Sequence, residues 1–254
     1  MNIENYGKIQ EMLIKKGKDA FEKNNPKLET FSSPEADVLI NDIEKTPHAF
    51  VIACVMDRQI KAEKAWNVPL KLSQRLGTFR FEDLRTLKVE DVLHAMTFPT
   101  PIHRFLKEMS RNFCEAVKRI DEKYSGDASK IWADEPTSAE VVYRFLQFRG
   151  VGPKIGTMAA NILARHFKVP FADYFSIDIS VDVHVKRVFA RLGLTDKDDS
   201  NEGVIYRARS LNPGFPGLLD FPTWEIGKNW CHETKPECGN CYMKDLCRSR
   251  NANS

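Results

Sequence analysis

The sequence predicts an all-α protein, on three observations. Apolar residues recur at spacings of three and four along most of the 254 residues, the period of a helix with one buried face. Sustained strand-like alternation is scarce. Residues that start and stop helices punctuate the pattern, among them Ser33 before Pro34, and Gly150, Pro153 and Gly193.

Taken in order, Ser33 and Pro34 form a cap and first turn leading into Val38, Leu39 and Ile43. The apolar stretch 49–72 is interrupted by Pro69, which predicts a helix ending before that proline. Residues 90–96 read as a short helix, and Pro99 with Pro101 breaks the chain before a longer one over 104–123. Thr137 and Glu140 have capping-box spacing ahead of Val142, Phe145 and Leu146, and Gly150 stops that helix. The pattern restarts with Ile155, Met158, Ala159, Ile162 and Leu163, Pro153 fitting the first turn, where its missing N–H costs nothing. Segment 168–180 reads as an irregular connection. Val185, Val188, Phe189 and Leu192 mark one more helix, from about Asp182 to Gly193. After a hydrophilic break at 195–199, the stretch 211–230 is rich in Gly, Pro and aromatics and predicts no regular helix.

Lysine and arginine total 38 against 35 acidic residues, a formal charge of +3. That balance permits a nucleic-acid partner only if the basic residues are gathered on one face. No apolar run is long enough to cross a bilayer, and Glu4, Glu11 and Asp19 interrupt the first twenty residues where a secretion signal would be apolar. The expectation is an intracellular protein, cytoplasmic or nucleoid-associated in a bacterium or archaeon, with no membrane partner and monomeric.

Cys54 and Cys114 lie alone in apolar helical surroundings and read as packing residues. Cys231, Cys238, Cys241 and Cys247 are spaced C-x6-C-x2-C-x5-C. In a reducing compartment such a cluster reads first as a metal site, and four thiolates suit either tetrahedral zinc or an iron-sulfur cubane.

The turn Gly150-Val151-Gly152-Pro153-Lys154 joins two helices. Glycines permit a tight reversal and let backbone N–H groups approach an anion, and the following helix adds its positive end, so a DNA phosphate is the natural ligand. A plain helix-helix corner is the alternative. Lys154 adds either a charge or a nucleophile, since a neutral amine can attack a sugar C1′ as the base leaves. Asp182 stands immediately before an apolar-periodic helix, where it serves as an N-cap or as a carboxylate that stabilises positive charge on the sugar. The two roles are compatible. Asp178, in the irregular connection, is the decoy, and His184 is a packing or supporting residue.

With Lys154 and Asp182 in place, the sequence resembles the HhH-GPD superfamily of DNA glycosylases, in its iron-sulfur endonuclease III branch. The matching motifs are Gly150-Val151-Gly152-Pro153-Lys154 and Val181-Asp182-Val183-His184. The resemblance implies a two-lobed helical fold: a barrel lobe over 46–165 with its helix-hairpin-helix at 139–165, and a second lobe from 1–45 and 175–254 carrying a cluster loop at 231–247. It implies that damaged double-stranded DNA lies between the lobes with the damaged nucleotide flipped out. By the same likeness Lys154 is a Schiff-base lysine, Asp182 its catalytic aspartate, and the four cysteines hold a [4Fe-4S] cluster in preference to zinc. Base excision with abasic-site lyase activity by β-elimination follows. The alternatives are a monofunctional glycosylase using Asp182-activated water and a non-catalytic DNA-binding protein.

DNA contacts are expected from Gly150, Val151, Gly152 and Lys154, from Lys235 in the cysteine loop, and from Arg58 and Gln59. The last two enter because Met56 stands where the family often has a glutamine that fills the gap left by the flipped base. The connection between Lys154 and Asp182 is longer than the family's usual one, so 168–180 is expected to alter the pocket rim.

Overall fold

The computed structural model describes residues 3–22 and 34–251. In chain order the helices are α1 (Ile3–Glu22), α2 (Pro34–Asn41), α3 (Pro47–Met56), α4 (Ala62–Trp66), α5 (Val68–Leu76), α6 (Phe81–Leu84), α7 (Val89–Thr97), α8 (Leu106–Tyr124), α9 (Ser138–Leu146), α10 (Pro153–Arg165), α11 (Val183–Leu192), α12 (Asn201–Leu211), α13 (Asp220–Asn229) and α14 (Arg248–Asn251). Single 3-10 turns occur at Ala128–Ile131 and Pro216–Leu219. Among the described residues there is no strand, and no helix is long and apolar enough to cross a membrane.

The chain divides into two compact units, Asn25–Phe171 and the pair Met1–Asn24 with Ala172–Ser254. The expected division grouped 1–45 with 175–254; α2 packs on α3 and α5, inside the middle unit.

At the centre of the middle unit lies α3, every residue of which is buried. An apolar helix without a polar face is stable only when surrounded. Phe50 meets the rings of Trp66, Trp132, Phe145 and Phe167 at centroid distances of 5.4 to 6.3 Å. Burying one such side chain contributes about 1.5–3 kcal/mol. Against α3 packs α8, which buries Met109, Phe113, Ala116, Val117 and Ile120 along one stripe. His103 Nε2 lies 3.1 Å from the Met56 carbonyl, tying the end of α3 to the segment before α8.

Helix α11 centres the second unit, with Val185, Val188, Phe189 and Leu192 against Ile226 of α13, Val204 and Ala208 of α12 and Leu13 of α1. The approach of α11 to α13 is close: a Cβ on Gly227 would come within 2.6 Å of the His184 Cβ.

The expectations for Pro69, for 211–230 and for Ser33 come out differently. A helix does end before Pro69, since α4 stops at Trp66, and Pro69 itself occupies the first turn of α5, where a proline has no N–H to satisfy. Residues 211–230 are not irregular, because they hold a 3-10 turn and α13, whose Pro222 and Gly227 disguise the period. Pro34 does begin α2, but Ser33, its expected cap, lies outside the described residues.

Candidate functional site

The hairpin is built by two short helices that pack on each other, α9 and α10. Thr137 caps α9, its hydroxyl accepting from the Glu140 N–H at 3.2 Å. Glu140 does not return the bond but pairs with Arg144 at 2.8 Å. After α9 the chain turns through Gly150 at φ +89, a left-handed conformation that penalises any Cβ. The Val151 N–H closes the turn on the Phe148 carbonyl at 3.0 Å.

Gly152 does something different. Its backbone is extended, φ −103 and ψ 179, and it stands at the N-cap of α10 with no cap side chain. A Cβ there would touch nothing within 4 Å. Thus only Gly150 is demanded by the turn, while Gly152 leaves the first-turn amides of α10 open. Those amides have no partner within the helix and carry its positive dipole end, an arrangement that suits an anion. Lys154 occupies the second position of α10, exposed, with Arg149 exposed on the turn before it. Thr157 turns its hydroxyl back to the Pro153 carbonyl at 2.9 Å, which steadies that first turn.

Arg58 belongs to this neighbourhood. Its Nη1 would lie 3.9 Å from a Cβ on Gly150, and it pairs with Glu108 at 2.6 Å. Gln59 follows it, exposed and at φ +52. Met56 is fully buried at the end of α3 and faces no solvent. Sequence reasoning missed two residues of α8, Asn112, which meets Gly150 of the hairpin, and Glu108, which meets Arg58, because both contacts arise only through the tertiary fold.

In the other unit, Asp182 is the N-cap of α11. Its Oδ1 accepts from the His184 and Val185 N–H groups, each at 2.8 Å. Among the described residues no donor meets Oδ2. Asp178 is spent, since Arg209 grips both its oxygens at 2.8 Å. His184 Nδ1 accepts from Arg187 Nη2 at 2.9 Å, a supporting role. The connection 168–180 is irregular but held: Tyr174 stacks on Phe215 at 4.7 Å and the Ile177 carbonyl accepts from the Gly217 N–H at 2.6 Å. Phe175, between them, is 64% exposed. Lys154 and Asp182 belong to different compact units.

Cys231, Cys238, Cys241 and Cys247 line one small cavity of about 30 Å³, walled by Val188, Leu192, Ile226, Trp230 and Met243. None forms a disulfide. Burial first, and then the neighbouring Cys231, Cys247 and Cys238, push the Cys241 thiol up. Among the described residues no three His, Cys, Asp or Glu side chains are set to hold a single metal ion. The four cysteines nonetheless share that one cavity. As a donor set, four soft sulfurs in apolar walls fit a thiolate-bound metal group. Lys235 is exposed in the loop between the first two cysteines, which the Glu237 N–H closes on the Trp230 carbonyl at 2.7 Å.

A model of the HhH-GPD superfamily of base excision DNA repair proteins matches residues 52–213. Endonuclease III of Synechocystis sp. is 26% identical over 219 residues, covering 82% of this chain and 84% of its own length. Among solved structures, a trapped endonuclease III–DNA covalent intermediate aligns with a TM-score of 0.58 at 22% identity, covering 86% of this chain and 93% of that one. A thermostable thymine-DNA glycosylase aligns at 0.63 and 15% identity, covering 96% and 98%. At these identities the structural likeness is one of fold.

Proposed function

The chain belongs to the HhH-GPD superfamily of base excision DNA repair proteins, and from that premise we propose that it is a DNA glycosylase that also cleaves the strand at the resulting abasic site. The observation that carries the lyase half is Lys154, an exposed amine in the open first turn of α10, beside amides suited to a phosphate. The endonuclease III trapped covalently on DNA shares this fold.

In this reading the N–H groups of Gly150 and Gly152, with the open first-turn amides of α10, hold a phosphate of damaged double-stranded DNA, which fixes the backbone without reading sequence. Lys154, as a free amine, attacks C1′ of the flipped nucleotide. The glycosidic bond breaks and the base departs with its electron pair, taking a proton. Opening of the sugar ring leaves an iminium between Nζ and C1′, loss of a C2′ proton expels the 3′ phosphate, and water hydrolyses the iminium to restore the amine. Asp182 contributes its negative charge as positive charge develops on the sugar, and accepts the proton that the lysine sheds. Its Oδ1 is committed to the cap of α11, so Oδ2 is the oxygen assigned to that work.

The same free Oδ2 favours one other reading, a monofunctional enzyme in which Asp182 activates water. It releases base without nicking the strand.

For the cysteine site we infer a [4Fe-4S] cluster. Cys231, Cys238, Cys241 and Cys247 would hold it, four soft thiolates lining one cavity, and the C-x6-C-x2-C-x5-C intervals, which resemble the cluster loop of endonuclease III-like enzymes, favour it over zinc. When bound, the group cross-links the loop 231–247, and the loop presents Lys235 to the DNA backbone. The test of the whole reading is a panel of duplexes bearing oxidised, alkylated, deaminated and mismatched bases, assayed for free base and for strand scission. Scission that accompanies base release on at least one lesion is the expected result; base release without scission selects the water mechanism.

A further inference from the structure

Beneath the hairpin lies a side chain that the mechanism above does not use. Asn112 sits one turn after Glu108 on α8 and is 0% exposed. Among the described residues neither its Oδ1 nor its Nδ2 has a hydrogen-bond partner. A Cβ on Gly150 would come within 2.5 Å of Nδ2 and 3.4 Å of Cγ, so the carboxamide is pressed against the glycine that makes the turn. Arg58, held by Glu108, flanks the same glycine.

For stability alone this is a poor choice of residue. A buried carboxamide with unmade hydrogen bonds is a liability, and an apolar side chain of the same shape removes it. What the carboxamide has that leucine lacks is one acceptor and two donors, aimed at the inner side of a turn whose outer side is suited to an anion.

We propose that Asn112 is a positioning residue for the hairpin, coupling phosphate capture on the outside of the turn to hydrogen bonding on the inside. The proposal rests on the DNA-binding reading of the hairpin. When a hairpin N–H donates to a phosphate, its peptide group is polarised and the carbonyl at the other end becomes a stronger acceptor. A small rotation of the turn at Arg149 and Gly150 brings that backbone onto the Asn112 carboxamide, which completes its bonds and holds the amides outward. Free protein thus leaves the bonds open, and bound DNA closes them. The contact is inaccessible to solvent, so each bond formed there is not traded against water.

Asn112→Leu separates this role from simple packing. The variant is expected to melt at or above the wild-type temperature and yet bind a short duplex at least about tenfold more weakly, equally with and without an abasic site, because a phosphate contact carries no lesion preference. The salt dependence of its binding should flatten by about one phosphate. Strand cleavage at saturating DNA should stay within about twofold of wild type, so that the defect falls on binding and not on the chemical step. Unchanged affinity and salt slope in a folded variant would overturn the proposal. The wild-type protein supplies a second readout that does not depend on the variant's folding. The Asn112 side-chain NH2 resonances should shift and exchange more slowly when duplex is added, and resonances that do not move would overturn it equally. Wild-type protein that binds no duplex at all takes the DNA-binding reading down with it, whereas wild type that binds while Asn112→Leu binds as well removes this inference only.

Discussion

Arg191 donates to the Sγ of Cys231 across 3.3 Å, and the same guanidinium holds the carbonyls of His232 at 2.7 Å and Glu233 at 2.8 Å. One turn earlier Arg187 Nε holds the Cys231 carbonyl at 2.6 Å. Two arginines four residues apart on α11 thus fasten the first cysteine to the helix that Asp182 begins. A guanidinium beside a thiolate both orients it and offsets its charge.

Arg191→Met keeps the aliphatic stem and loses the donors. Purified protein is expected to carry about four irons per chain in the wild type, and the variant should lose them to a chelator about tenfold faster. One zinc per chain would contradict the cluster assignment, and an unchanged rate of iron loss would remove Arg191 from its support.

Asp182 separates into cap and charge. Asp182→Asn should leave stability within a few tenths of a kcal/mol, because asparagine caps as well as aspartate, while Asp182→Ala costs about 1 kcal/mol. Both should lower strand cleavage by about 100-fold or more if the carboxylate charge is what the reaction uses. Thermal melts beside single-turnover rates distinguish the two effects. Full activity in Asp182→Asn would leave only the cap.

The two hairpin glycines should respond differently to alanine. Gly150→Ala drives a methyl to within 2.5 Å of Asn112 Nδ2 at φ +89 and should destabilise by roughly 1–3 kcal/mol. Gly152→Ala meets nothing within 4 Å, so it should fold as the wild type does and weaken DNA binding by crowding the amides. Denaturant titration and a duplex-binding assay on each variant check this, and equal stability losses would contradict it.

Stability should fall with acidification below neutrality. Burial first, and then Arg165 and Lys168, hold the His166 imidazole at about 3, with its Nε2 facing Arg165 Nη2 at 3.0 Å. The unfolded chain takes up that proton near pH 6.5. The stabilisation is therefore complete above about pH 6.5 and is lost as pH falls towards 3, on the order of 2 kcal/mol by pH 5. Burial also lowers His48 and His103, which adds to the same slope. His166→Gln should flatten the decline between pH 7 and 5, and an unaltered slope would assign it elsewhere.

What could be read from sequence was local chemistry. Thr137, Gly150 and Pro153 delimit α9 and α10 through caps and turns that act within a few residues, and Asp182 with Gly193 does the same for α11. The cysteine intervals identified a shared donor set because three of the four fall within ten residues. Pro69 was ambiguous, since a proline ends one helix and begins the next by the same missing N–H. Helix α13 was hidden because Gly227 answers to His184 on another helix, not to any neighbour in sequence. Asn112 gave no signal, because its meaning depends on Gly150, thirty-eight residues away.

The central claim is that Lys154 forms a covalent intermediate with the sugar. Cluster-loaded protein incubated with abasic duplex and borohydride should yield a stable protein–DNA adduct, mapped by proteolysis and mass spectrometry to the peptide containing Lys154. Lys154→Ala, folded and carrying its iron, should give none. An adduct that survives Lys154→Ala, or no adduct from the intact protein, would contradict the account.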